Sequence, residues 1–449
     1  MLPPLKNIFW QDSAEDSSRP LNICIWGMLE SQIHVKCLED LIEKVIKYQN
    51  NKNILHFPEM QQYVISFGGY TFWKWDKNFQ VKNHYRFLNP EPSSLEWTEL
   101  DLRKALSQLS SSPFKKDQSP WEAIVIRNYR LGPNSIGSVI ILRCHHVLGD
   151  GYSFLKMFLE QVCQGEHKPV IVPQLVHKEP SLGMILSFPL RCIYDLTQFT
   201  SNLPYDRNAW KIPFGQLKRE YYTLWSPDLN VGDIKGIKNS LNVSFQAVII
   251  SAIGAGLQKL FPSGGKPIPG EITAFVPLPL PNRPEKRGFE YHASGVFVKI
   301  PLNETDPARR LVRSSNSLKK AAKMVSMSQL KIASLAGRIP FLSSMSDCVK
   351  TSGETVQSLS IFPGIDGNLF IQGHRILSAG FSINPSSRGN SGVAISSLSS
   401  FGHVKIVVTI DQGLIPLERI SGFEEGVRDE IQALMLMADK NKDTVVKIN

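Results

Sequence analysis

The chain has 449 residues, 42% of them hydrophobic and 20% charged, with a formal net charge of +10. That length allows two or more domains with sizeable cores, and the balance excludes wholesale disorder and a polytopic membrane protein. The positive charge favours anionic partners. No zinc-ligand spacing, RNP-like aromatic element or dense Lys/Arg tract accompanies it, so no nucleic-acid partner is expected, and an anionic membrane surface accounts for the charge at least as well.

In chain order, the opening MLPPLKNIFWQDS lacks a charged region followed by an apolar core, so a cleavable secretory signal is not expected. The six cysteines, Cys24, Cys37, Cys144, Cys163, Cys192 and Cys348, form no C-x-x-C pair, which suits a reducing compartment. A cytosolic setting would leave the sequons at Asn242 and Asn303 unused. An α/β first half is expected over 1–165. Near its end, residues 138–144 (SVIILRC) form a short β-branched run of the kind that makes a buried strand. Immediately after it comes HHVLGDG, residues 145–151. Phe154, Leu155, Phe158, Leu159 and Val162 then recur at helical spacing, with Asp150 and Gly151 supplying a turn and cap, so the region reads strand, histidine loop, helix.

Residues 166–218 read as a linker, because prolines at 169, 173, 180, 189, 204 and 213 interrupt any long element. Within it, 182–190 (LGMILSFPL) is apolar but too short to span a bilayer. It is either an interfacial segment on a membrane or a buried connector between domains. The second half, 219–449, opens with a long apolar run at 245–261 that reads as a buried helix. Strands are expected at 272–276, 295–300, 393–397 and 404–410, and a last helix at 424–438. The basic residues Arg309, Arg310, Arg313, Lys319, Lys320 and Lys323 lie in one helix-like stretch, which reads first as a solvated face. There is no G-x-S-x-G, no complete G-x-G-x-x-G and no phosphate loop, so hydrolase-elbow, hydride and nucleotide chemistry lose support. No metal site is expected.

The pattern H-H-x-x-x-D-G would arise by chance in roughly one chain of this size in a thousand or fewer. Its residue types fit acyl transfer. An imidazole titrates near neutrality, so a held histidine can take a proton from a hydroxyl or thiol as that group attacks a carbonyl. His146 is the expected base. His145 either orients its neighbour or lines a pocket. Asp150 is expected to hold the loop, through backbone N–H groups or an arginine, and Gly151 to permit a tight turn or a close approach. Cys144 adjoins the histidines, leaving a covalent cysteine route open, although the end of a buried strand favours a packed thiol.

This motif resembles the signature of the CoA-dependent acyltransferase superfamily. Other segments resemble its wax ester synthase/diacylglycerol acyltransferase branch. Residues 113–122 (PFKKDQSPWE) are similar to a P-L-D-x-x-x-P-x-W-E element, with Phe114 and Lys115 in place of Leu and Asp. Residues 79–84 (FQVKNH) are similar to F-x-x-x-x-H-V. Asp206-Arg207-Asn208 and Asp306-Pro307-Ala308-Arg309-Arg310-Leu311 resemble a D-R-N and a D-P-x-x-R-L. The resemblance implies an α/β (α+β) fold of two chloramphenicol-acetyltransferase-like domains, joined by a crossover linker around a central tunnel. It implies an O-acyltransferase that moves a fatty acyl group from acyl-CoA, a co-substrate rather than a bound cofactor, to a long-chain alcohol or diacylglycerol. A membrane-associated protein on the cytosolic face, at the endoplasmic reticulum or plasma membrane, is the expectation that follows. The chain departs from the family where an Asn-Asp pair is usual: 243–247 reads VSFQA, leaving Gln246 as a weak candidate oxyanion donor. A family Asn around 291–293 is likewise replaced. Lys319 and Lys320 are weak candidates for the CoA phosphates. A catalytically weak lipid or acyl-CoA binder, or a superfamily member with another acceptor, are the alternatives.

Overall fold

The computed structural model describes residues 21–50, 52–67, 70–89, 95–166, 217–260, 268–279, 288–322, 358–385 and 392–446, with Leu2, Lys6, Trp10 and Leu190. Most of the expected linker, the apolar segment 182–189, Asp206-Arg207-Asn208 and Lys323 lie outside these residues.

The sheet that carries the motif has six strands. They are β1 (Asn22–Leu29), β4 (Tyr85–Leu88), β5 (Trp121–Gly132), β6 (Ser135–His145), β12 (Phe370–Ile371) and β13 (His374–Ile383), in the order β12-β13-β1-β6-β5-β4. All neighbours are antiparallel except β4 and β5. β6 covers the expected 138–144 strand and runs directly into the histidines. Its Val139, Ile141 and Cys144 are buried, as are Ile124, Val125 and Ile126 of β5, which places β-branched side chains in a central strand pair where they pack best. β12 and β13 come from the second half of the chain, so the crossover is a strand exchange: Ile23 pairs with Ile383 and Gly27 with Ala379.

The other main sheet runs β11 (Ser358–Ile365), β14 (Val393–Ser400), β15 (His403–Asp411), β7 (Tyr221–Trp225), with the short β8 (Leu229–Asn230) also on β15. Two antiparallel ladders are separate, β2 (Gln62–Phe67) with β3 (Tyr70–Trp75) and β9 (Glu271–Pro279) with β10 (Ala293–Pro301), and the first half also holds helices α1 (Val35–Ile46) and α2 (Glu99–Ser111). All four strands expected in this half are present, each longer than its apolar core. The expected buried helix is α5 (Phe245–Leu260), which lies against the last helix, α7 (Ser421–Val446). Their backbones approach so closely that a Cβ on Gly426 would sit 2.5 Å from the Ala255 carbonyl oxygen, and one on Gly256 would meet the Phe423 ring. The Gly254-Ala255-Gly256 run therefore serves helix packing. Together with α4 (Val231–Ser240), α5 reaches the apolar length of a membrane span, but the pair bends by 108°, and no single described helix is long and apolar enough to cross a bilayer.

The D-P-x-x-R-L stretch has a plain structural meaning. Asp306 caps α6 (Pro307–Ala322) by accepting from the Ala308 N–H at 2.8 Å, and Pro307 takes the first helical position, where a missing N–H costs nothing. Arg310 is buried against Glu430 and also donates to Gln258, and Leu311 joins the core. Burial raises the Glu430 carboxyl above its ordinary range despite that guanidinium. Arg310 is thus a structural cation, and the basic stretch divides into one buried ion pair and an exposed face.

Candidate active site

The motif loop is fixed at its start by two backbone bonds. The His145 N–H donates to the Pro120 carbonyl at 2.9 Å and the His146 N–H to the Leu21 carbonyl at 2.9 Å. The Pro120 side rests on a stacked cluster. Trp121 lies on His84 with centroids 4.6 Å apart, His84 lies on Phe79 at 4.9 Å, and the Trp121 indole donates to the Met60 carbonyl at 2.8 Å. The Phe79–His84 and Pro120-Trp121-Glu122 segments therefore build one support. Glu122 completes it by pairing with Arg86 and with Arg143, whose guanidinium lies 4.1 Å from the centre of the Phe114 ring that stands in place of Leu. Those two arginines hold the Glu122 carboxyl below its ordinary range against the raising effect of its burial.

His145 points into the structure. Its Nδ1 accepts the Val147 N–H at 3.0 Å, its ring is 1% exposed, and Trp10 meets it edge-on at 5.4 Å. Burial first, then the neighbouring His146 and Arg143, push its pKa down to about 3. A histidine that stays neutral and accepts from its own loop shapes that loop. The ring is buried and bonds to Val147 of the same loop.

His146 is half-buried, and its Nδ1 meets the hydroxyl of Tyr291. The same hydroxyl donates to the His146 backbone carbonyl, and the two rings stack with centroids 5.6 Å apart at 20°. Burial drives the Tyr291 phenol well above its ordinary pKa, so it stays protonated.

The Asp150 carboxylate accepts from two backbone N–H groups. One carboxylate oxygen accepts the Ser153 N–H at 2.9 Å, capping α3 (Gly151–Met157), which continues as one π turn at Phe158–Val162. The other accepts the His292 N–H at 3.0 Å. Of the two reasons offered for Gly151, close approach is the one realised: its φ is not positive, and a Cβ there would stand 2.2 Å from the tip of the Phe362 ring.

Residues 288–292 thus lie as a strap along the motif. Phe289 stacks against Phe57 and Phe154 at 4.9 Å each and presses on Gly149. The Glu290 carbonyl accepts from the Ser153 hydroxyl at 2.9 Å, Tyr291 engages His146, and His292 engages Asp150. Sequence reasoning missed Tyr291, Ser153 and Phe289. The signal for Tyr291 was its position, inside the stretch where the family asparagine is replaced.

The other candidates stand apart. Ser244 caps α5 by accepting the Ala247 N–H at 3.1 Å, and Gln246 is exposed on the first turn; no described hydrogen bond joins it to the histidine loop. Lys319 and Lys320 are exposed in the last turn of α6, where cations suit the helix dipole. Cys144 is fully buried and its thiol is raised well above the ordinary value, which makes it packing rather than a nucleophile. Among the described residues, no group of three or more His, Cys, Asp or Glu side chains could hold a metal ion.

Residues 2–184 match the family model of the wax ester synthase/diacylglycerol acyltransferase catalytic domain. The match covers less than half of the chain and takes in the histidine motif. Comparison with curated proteins gave no match. Among solved structures, the wax ester synthase/diacylglycerol acyltransferase from Marinobacter aquaeolei VT8 aligns over 98% of this chain and 99% of its own, at 14% identity and a TM-score of 0.64. Trichothecene 15-O-acetyltransferase from Fusarium sporotrichioides aligns over 96% and 94%, at 11% identity and a TM-score of 0.62. The first condensation domain of the calcium-dependent antibiotic synthetase aligns over 97% and 96%, at 11% identity and 0.58. At these identities the likenesses establish the fold alone, the mixed α/β fold of these two-domain structures, as the sequence resemblance implied.

Proposed function

We propose that this protein is an acyltransferase that moves a long-chain acyl group from acyl-CoA to the hydroxyl of a fatty alcohol or of diacylglycerol, with His146 as general base. The observation that carries the reading is the coincidence of two facts: the family match spans the motif, and within it His146 is the half-buried imidazole, held at Nδ1 while its neighbour is turned inward and neutral. In the step, the acceptor oxygen attacks the thioester carbon as His146 takes its proton. The carbon–sulfur bond breaks and the proton passes to the departing thiolate, giving ester and free CoA with no acyl-enzyme. Held geometry contributes as much as basicity, since a base must lie within about 3 Å of the proton it removes. Long acyl substrates and the +10 charge favour work at an anionic membrane surface on the cytosolic face.

The exposed Gln246, with no Asn-Asp pair beside it, favours a second reading, in which the protein binds acyl-CoA or lipid with little turnover. The test is incubation of the purified protein with palmitoyl-CoA and radiolabelled fatty alcohol, diacylglycerol, amine and small-hydroxyl acceptors. Labelled wax ester or triacylglycerol forming in step with free thiol is the expected result. Saturable acyl-CoA binding without ester would overturn the reading in favour of the binder, and product with only an amine or a small alcohol would overturn the acceptor class.

A further inference from the structure

The ladder of β2 and β3 joins no other sheet among the described residues. Six of the 14 residues from 62 to 75 are aromatic, where the chain's 9% would give about one. The register sorts them between two faces. Tyr63 stands opposite Lys74, Ile65 opposite Phe72 and Phe67 opposite Tyr70, so these six share one face, while Val64 with Trp73 and Ser66 with Thr71 share the other. The second face is turned inward: Val64 and Thr71 are buried, the Leu2 N–H donates to the Thr71 carbonyl, and the Lys6 ammonium lies 5.6 Å from the centre of the Trp73 ring. On the first face none of the six is buried. Phe67, in the last pair before the turn, is 78% exposed, and Trp75, at the far end of β3, is 48% exposed. An antiparallel ribbon in water packs its apolar face and turns its polar face out. This one turns out tyrosine, isoleucine and phenylalanine.

We propose that the ribbon of β2 and β3 is the surface by which this protein docks on an anionic lipid bilayer, with its aromatic face in the headgroup region and the surrounding lysines on the lipid phosphates. Charge favours a bilayer over a second copy of the chain. Lys74, Lys77, Lys82, Lys115 and Lys116 are exposed on and beside the ribbon, against Asp76 and Asp117. Asp117 is among the charges that act on Lys74, which brings the 115–117 loop to the ribbon. Two such faces pressed together would oppose like charges, whereas Trp, Tyr and Lys together are the side chains that settle at a bilayer interface. The Lys74 ammonium lies 5.5 Å from the centre of the Tyr63 ring, so its stem follows the aromatic face and its charge reaches the rim. The ribbon is also tied to the histidine site. Gln62 follows directly on the turn Pro58–Gln61, whose Met60 carbonyl accepts the Trp121 indole, and Phe57 before that turn stacks on Phe289 of the strap. One continuous segment thus links the docking face to the strap beside His146.

The proposal rests on the reading of the protein as one that works on lipid, and its test reads binding without turnover, so failure of acyl transfer leaves the docking result standing. Purified wild type and variants are sedimented with phosphatidylcholine vesicles, with and without phosphatidylserine. Wild type is expected to bind the mixed vesicles and to be released by salt. Phe67→Ser combined with Trp75→Ser should weaken that binding about 10- to 100-fold, with the thermal midpoint retained. Lys74→Gln combined with Lys77→Gln should weaken it about 30-fold, on the anionic vesicles alone. Amide hydrogen exchange of wild type with and without mixed vesicles decides even if a variant fails to fold, and protection is expected to rise over 63–77. Absence of wild-type binding, unchanged binding in the Phe67→Ser, Trp75→Ser variant, or protection gained only at 182–190 would overturn the proposal. A wild-type dimer that the same two substitutions dissociate would overturn it in favour of a second copy.

Discussion

Replacing Asp150 tests whether this residue acts on substrate or on the loop. Its buried carboxylate caps α3 through the Ser153 N–H and accepts the His292 N–H from the strap. Loss of a helix cap costs about 0.5–2 kcal/mol. An N–H left buried without an acceptor costs about 1–3 kcal/mol more. Asp150→Ala should therefore destabilise the protein by about 1.5–5 kcal/mol, divided between the helix cap and the strap. Asp150→Asn keeps one acceptor oxygen for two donors and should lose roughly half as much. Amide hydrogen exchange over 288–293 reads the effect directly, with turnover measured alongside. Protection is expected to drop in the order wild type, Asn, Ala, and turnover to follow it, because Tyr291 is released with the strap. An alanine variant whose strap amides remain as protected as wild type would refute this account of Asp150.

Gly151→Ala should cost about 1–3 kcal/mol by overpacking against Phe362, and Phe362→Leu in the same chain should restore much of the lost thermal midpoint. His145 has a folded pKa of about 3 against an ordinary 6.5, so the unfolded chain binds a proton that the native one refuses. Its contribution is flat above the unfolded value. Stability then falls as pH drops from 6.5 towards 3, by up to about 1.4 kcal/mol per pH unit. The depressed His84 adds in the same direction. Urea midpoints between about pH 7 and pH 5 should fall less steeply in His145→Gln, and equal slopes would contradict the assignment. Reversing Lys319 and Lys320 to Glu should leave the KM for acyl-CoA unchanged if they are a solvated face; a raised KM would make them phosphate ligands.

Much of this was legible in the chain. The β-branched run before the histidines, the Asp150 cap and the apolar stretch of α5 are local signals, because strand propensity, capping and helix burial are decided within a few residues. The strap was not legible as a partner of the motif. Tyr291 and His146 lie 145 residues apart in sequence, so their contact is a tertiary one that no local pattern encodes. Gly151 carried a real signal with two meanings, and the choice between turn and close approach depended on Phe362, a residue from β11. The basic stretch misled in part for the same reason: Arg310 looks like its neighbours until Glu430, from the last helix, takes it into the core.

The account stands most directly on the turnover of His146→Ala. Purified variant and wild type are compared for free-thiol release from a long-chain acyl-CoA in the presence of the acceptor that wild type uses, with circular dichroism confirming the fold. The account predicts a loss of about 10²- to 10⁴-fold with acyl-CoA binding retained. Turnover within a few-fold of wild type would contradict it.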